Sequence, residues 1–180
     1  MKKENSYIKD FITGRKVLNT GAEENRQAVE RFLVKEKGYR TCDITVDAPI
    51  SIRIGKEEYR SVIDLLVSTD GLPVMVIKCA AGSLESRRME AISAARILTD
   101  RPVPLAAAAD GKTALVWDTL TGKKLGTGLL SIPDAESAGM YLAAGANVRI
   151  PENRLEKERI IFRSYDSMNV NREKRQHAKD

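Results

Sequence analysis

The sequence predicts an α/β or α+β sandwich, a central mixed sheet flanked by helices. Three observations predict it. Two turn signals, Gly55-Lys56-Glu57-Glu58 and Thr69-Asp70-Gly71, separate three strand-like runs between residues 50 and 79. The last of these, Leu72–Cys79, is apolar almost throughout, as a strand buried on both faces requires. Helical spacing of apolar residues brackets the runs on either side, from Thr20 to about Gly38 and over 84–99. A chain of 180 residues, 42 % hydrophobic and 31 % charged, is long enough to bury one sizeable core.

The elements follow in order. Ser6 is placed to cap a short helix with Tyr7, Ile8, Phe11 and Ile12, ended by Gly14. Thr20, three residues before Glu23, opens a second helix in capping-box style. Its apolar side is Ala28, Val29, Phe32 and Leu33; Arg26, Glu30, Lys35 and Lys37 are expected to face water, and Gly38 to end it. A short strand is expected at 43–46. At 50–54, Ile50, Ile52 and Ile54 alternate with Ser51 and Arg53 as in a half-buried strand. The next strand, 59–68, is apolar apart from Asp64. The helix over 84–99 packs through Met89, Ile92, Ala95 and Ile97. Strands at 103–109 and 113–118 flank Asp110-Gly111. Trp117 and Tyr141 read as core residues. Gly122, Gly126 and Gly128 lack the Gly-Lys-Ser/Thr of a phosphate loop and read as turns. Asp134 caps a helix over 135–144. The stretch 149–168 is charged, with scattered Ile160, Ile161, Phe162 and Tyr165, and reads as a docking helix or an irregular arm. The expected division is a domain over 1–150 and a charged C-terminal arm or tail over 151–180.

Composition removes several classes of function. No apolar run reaches the roughly 18 residues a membrane span needs, and no apolar segment follows the basic start Met1-Lys2-Lys3, so a membrane partner and a secretory signal are not expected. Cys42 and Cys79 are far apart and His177 is the only histidine, which leaves no Cys/His zinc site. The expected compartment is a reducing cytoplasm. The net charge of +5 resides at the ends: residues 1–20 carry five basic and two acidic side chains, 152–180 eight and six, and the middle is neutral. Nucleic-acid binding carried by such ends is expected to be weak, non-specific and steeply salt-dependent, with the tail 171–180 contributing.

Two charges stand inside apolar runs, Asp64 between Ile63 and Leu65 and Lys78 between Ile77 and Cys79. Unpaired, either costs several kcal/mol to bury, of the order given for lone buried ions. The simplest arrangement pairs them across adjacent strands. The other is a metal-and-base site, in which a carboxylate on one strand and a second on its neighbour hold Mg²⁺ and a lysine two residues on serves the attacking water.

The segments Glu24-Asn25-Arg26-Gln27, Gly38-Tyr39-Arg40, Tyr59-Arg60-Ser61-Val62-Ile63-Asp64-Leu65-Leu66-Val67 and Gly71-Leu72-Pro73-Val74-Met75-Val76-Ile77-Lys78-Cys79-Ala80-Ala81-Gly82 resemble the N-terminal nuclease domain of type I restriction enzyme R subunits. The resemblance spans roughly 5–145. It implies membership of the PD-(D/E)XK nuclease superfamily and a restriction-endonuclease-like core. It also implies where the site should be. Asp64 matches the first acid of the motif, but Lys78 stands where the second acid belongs and Ala80 where the lysine belongs. The implied site is therefore degenerate, needing no cofactor, in a module that binds DNA or a protein. The alternative is a Mg²⁺-dependent endonuclease with migrated residues, Glu90 or Glu24 supplying the missing carboxylate and Lys78 serving as the lysine. Outside that site, Glu24 suits a helix's first turn and Glu90 a solvated helix face. The resemblance further implies that Arg87 and Arg88 face DNA phosphates; the competing reading is an exposed helix with Glu85 and Glu90 as ion-pair partners. Intact relatives carry a helicase motor, for which 180 residues without a Walker A motif leave no room, so a stand-alone domain is expected.

Overall fold

The computed structural model describes residues 6–168; the tail 171–180 lies outside them. The chain begins with a small hairpin, β1 (Tyr7–Lys9) antiparallel to β2 (Lys16–Leu18). Helix α1 (Gly21–Lys35) follows, then a long meander of β3 (Ile44–Ile54), β4 (Glu57–Thr69) and β5 (Leu72–Cys79). A 3-10 turn (Glu85–Arg87) leads into α2 (Arg88–Ile97), and β6 (Leu105–Ala109), β7 (Ala114–Asp118) and β8 (Lys124–Thr127) complete the sheet. Helices α3 (Ala135–Gly145) and α4 (Glu152–Ser167) end the described chain. The six-stranded sheet runs β3-β4-β5-β6-β7-β8, antiparallel except for the β5–β6 pair. That parallel pair needs a crossover, and α2 provides it. The result is the mixed sheet between helices that the sequence predicts, consistent with a restriction-endonuclease-like fold.

Local chemistry explains the joints. Asp70 and Gly71 both adopt left-handed backbone, φ +51° and +77°, as a two-residue mirror-image turn requires. The Thr20 hydroxyl accepts the Glu23 amide at the start of α1, and the Asp134 carboxylate accepts the Ser137 amide at the start of α3. Beyond α1, Gly38 turns left-handed at φ +72° and the Tyr39 amide donates back to Leu33.

The buried side chains form two clusters. One joins Val29 and Leu33 of α1 and Ala138 of α3 to Met75, Ile77, Leu105 and Ala107. The other joins Ala91, Ile92 and Ala95 of α2 and Phe162 of α4 to Val76, Ala106, Ala108 and Trp117. The β3–β4 hairpin serves both: Ile44, Leu65 and Val67 join the first, and Ala48, Ile50, Ile52 and Ile63 the second. A regular strand keeps residues of one parity on one face, so the hairpin changes side. The change falls between the pairs Val46–Leu65 and Ala48–Ile63, where Asp47 has φ +51° and stands opposite Asp64.

Several expectations are corrected. Residues 6–14 are not a helix. Asp10 accepts the Thr13 amide at 2.6 Å and the Thr13 hydroxyl at 2.7 Å, and Gly14 is left-handed, so the side chain builds a turn where a helix would need its own ladder. Arg26 and Glu30 do not face water; both are buried, because Arg26 collects the Asp10 and Glu23 carboxylates. Lys37 is half-buried and donates to the Leu130 carbonyl, while Lys35 is exposed as expected. The strands at 43–46 and 50–54 are one strand. Gly126 belongs to strand β8, whose short, mostly exposed sequence gives no apolar alternation to read. The arm at 149–168 resolves as a docking helix: α4 buries Phe162 and ties Glu158 to Arg96 and to the Ser93 hydroxyl. Trp117 is fully buried, and Tyr141 packs half-buried against the first cluster.

Candidate functional site

The side change in the β3–β4 hairpin turns Asp64 inward beside the end of β5. Its Oδ2 accepts the Cys79 amide at 2.7 Å and lies 3.5 Å from Lys78 Nζ. Across from it, α2 delivers Glu90, whose Oε1 is 2.9 Å from the same Nζ. Arg87, in the turn before α2, places Nη1 3.5 Å from Glu90 Oε2. Asp64, Lys78 and Glu90 are all buried, at 3 %, 2 % and 0 % exposure. Burial opposes charge on Lys78, but the Asp64 and Glu90 carboxylates outweigh it and hold the ammonium's pKa above its usual value.

Of the six residues singled out in the sequence, four meet here: Asp64, Lys78, Glu90 and Arg87. Glu90 is not on a solvated face: it is fully buried, and its side chain points inward to the lysine. Glu24 sits exposed on the first turn of α1 and takes no part in these ion pairs. Arg88 is half-buried and donates to the Gly122 carbonyl at 2.8 Å, bracing the loop between β7 and β8. Ala80 is buried, and its carbonyl accepts the Asn25 side-chain amide at 3.0 Å, which fastens the start of α1 to the end of β5.

One participant escaped the sequence. Asp166, on α4, accepts the Tyr59 hydroxyl at 2.7 Å and adds a further negative charge that Lys78 feels. No short-range signal marks it, since it lies 88 positions downstream in a charged helix. Asp47, the left-handed residue at the side change, acts instead on Arg26 of α1, whose charge it favours.

The family profile of the type I restriction enzyme R protein N terminus matches residues 21–133. The chain belongs to that family. The match opens on the first residue of α1 and closes just before the Asp134 cap of α3, so it contains the whole six-stranded sheet, α1, α2 and the Asp64–Lys78–Glu90 cluster. The β1–β2 hairpin, α3 and α4 lie outside it. No curated protein and no solved structure matched the chain. Among the described residues, no helix is long and apolar enough to cross a membrane.

Proposed function

We propose that this R-protein N-terminal domain is a PD-(D/E)XK-type nuclease fold with a degenerate site, and that it works by binding DNA rather than cutting it. The observation that carries this reading is the seat of Lys78 Nζ, 2.9 Å from Glu90 and 3.5 Å from Asp64. A hard dication needs several anionic or neutral oxygens, and Mg²⁺ in particular keeps part of its water shell. Here the two carboxylates already share an ammonium, one of them also serves a backbone amide, and all three side chains are sealed from solvent. The donor set as it stands does not fit Mg²⁺. Lys78 supplies internally the positive charge that a metal supplies in an active nuclease.

A second reading, a Mg²⁺-dependent endonuclease with migrated residues, draws support from the convergence of Glu90 and Asp64 on one point. One experiment separates the two. Plasmid DNA incubated with wild-type protein and Mg²⁺ should remain uncut. The Lys78→Glu variant, with the cation gone and a third carboxylate in place, should melt at a lower temperature than wild type and be restabilised by millimolar Mn²⁺ or Mg²⁺, as any ligand that prefers the native state restabilises it. Wild-type nicking that Asp64→Ala abolishes would establish the endonuclease instead.

A further inference from the structure

We propose that the β1–β2 hairpin and the adjoining flank of α1 form a binding platform for an unpaired nucleic-acid strand. The inference deepens the DNA-binding reading above and rests on it. The excess positive charge of residues 1–20 is partly built into folded structure here: Lys9, Arg15 and Lys16 of the hairpin are all exposed. The only acid among residues 6–18, Asp10, is withdrawn from the surface. It is buried, its Oδ2 2.9 Å from Arg26 Nη2, so it cannot neutralise the lysines beside it. That same ion pair fixes the hairpin against α1 and gives the surface a defined shape.

Aromatic rings are interleaved with the cations. Tyr7 is half exposed, with Lys16 Nζ 4.8 Å from its ring centre. Phe11 carries the guanidinium of the exposed Arg31 at 5.6 Å. Lys9, Phe11 and Arg31 also line an open concavity of about 420 Å³ floored by the Asp10–Gly14 turn. Cations spaced around accessible aromatic faces are the requirement for holding a single strand: phosphates meet the lysines and arginines, and unstacked bases lie on the rings. A duplex keeps its bases stacked inside and would meet only the charges. The ligand class is therefore a single strand, held by phosphate contacts and stacking without base-edge readout.

The test uses the full chain and a fluorescently labelled oligo(dT), with binding read by anisotropy between 50 and 200 mM salt. Wild type should bind, with affinity falling steeply as salt rises. Lys9→Gln with Lys16→Gln should flatten the dependence of log K on log salt by about 1.4, roughly 0.7 for each lost contact to a single strand. Tyr7→Ala should weaken binding about tenfold, and Tyr7→Phe should retain it, since the ring and not the hydroxyl makes the stack. These side chains are exposed, so the melting temperature of each variant should match wild type. Binding that ignores all three variants but disappears when 171–180 are removed would assign the contact to the tail and overturn the platform alone. No binding of oligo(dT) by wild type at 50 mM salt would overturn the platform, and the DNA-binding reading falls with it only if a labelled duplex of the same length is not bound either.

Discussion

Two buried clusters of charge, one on α1 and one between β5 and α2, are built from the same materials and behave differently. Each has one fully buried cation among carboxylates, and at the second the partly exposed Arg87 adds another beside Glu90. On α1 the cation is Arg26, whose Nη2 meets Asp10 and Glu23 and whose Nη1 lies 3.5 Å from Glu30. At β5 it is Lys78, between Asp64 and Glu90. The planar guanidinium divides itself among acids from different directions, and Glu30 receives the longest and poorest share. Burial then dominates at Glu30 and pushes its pKa up to about 8, despite Arg26 and with Asp10 and Glu23 adding to the rise. The α1 cluster thus sheds its surplus negative charge by keeping a proton on an acid. The β5 cluster keeps its balance the other way, since burial of Lys78 is outweighed by Asp64 and Glu90 and the lysine holds its proton more tightly than usual. One cluster contains a titratable acid near neutral pH; the other contains a permanent internal cation.

The sharpest way to break that comparison is to remove each cation. Lys78→Met leaves two buried carboxylates facing one another and should destabilise the fold by about 3–5 kcal/mol, the usual cost of breaking a buried pair. Asp64→Ala should cost less, about 1–3 kcal/mol, because Lys78 keeps Glu90 and the main loss is the acceptor for the Cys79 amide. Urea denaturation ranks the two. Equal losses would mean that Asp64, not the nearer Glu90, is the lysine's principal partner.

Removing the other cation tests what the α1 cluster is for. Arg26→Met strips buried acids of their cation and should cost about 3–5 kcal/mol, the same figure as for Lys78→Met. The effect should also be local. Without Arg26, Asp10 loses its anchor and the β1–β2 hairpin loosens from α1, so amide exchange over residues 7–18 should quicken while β5 and β6 stay protected. Uniform quickening across the sheet would show that the cluster supports the whole core rather than the hairpin.

The legibility of these two regions in the sequence also differs. The β4–β5 hairpin was legible because Asp70-Gly71 fixes the turn and the apolar runs fix the strands. Asp64 and Lys78 stood out there because a charge inside an apolar run needs a partner. Glu90 was legible as a candidate only through the family resemblance; on its own helix it sits beside Arg87 and Arg88 and looks solvated. It is buried because its side chain turns from α2 onto the sheet, 2.9 Å from Lys78 on β5, a partner that the spacing on its own helix does not reveal. The α1 cluster was misread for a related reason. Arg26 and Glu30 occupy the polar side of an amphipathic pattern, and that side is covered only because 6–18 folds as a hairpin. The hairpin was hidden in turn by Tyr7, Ile8, Phe11 and Ile12, whose spacing suits a helix equally well. Periodicity reports which side chains are apolar, and it cannot report that a polar face will be roofed by another charged segment.

The last expected effect discriminates the clusters by pH. In the unfolded chain Glu30 should titrate near the ordinary glutamate value, while in the fold its pKa is about 8. At pH 4 both states carry the proton and Glu30 contributes no pH dependence. As pH rises through the window from about 4.5 to about 8, the unfolded state gives up its proton while the folded state keeps it, so Glu30 makes stability fall with rising pH, and above that window the penalty is complete. Glu30→Gln removes the titration and keeps the shape. The variant should melt with wild type near pH 4 and progressively above it as pH increases, with a gain of several degrees that levels off above about pH 8. Lys78 offers no such window, because its shift carries it away from the working range. A difference between Glu30→Gln and wild type that stays constant from pH 4 to pH 8.5 would mean that Glu30 is ionised beside Arg26 throughout, and that the two clusters balance their charge in the same way after all.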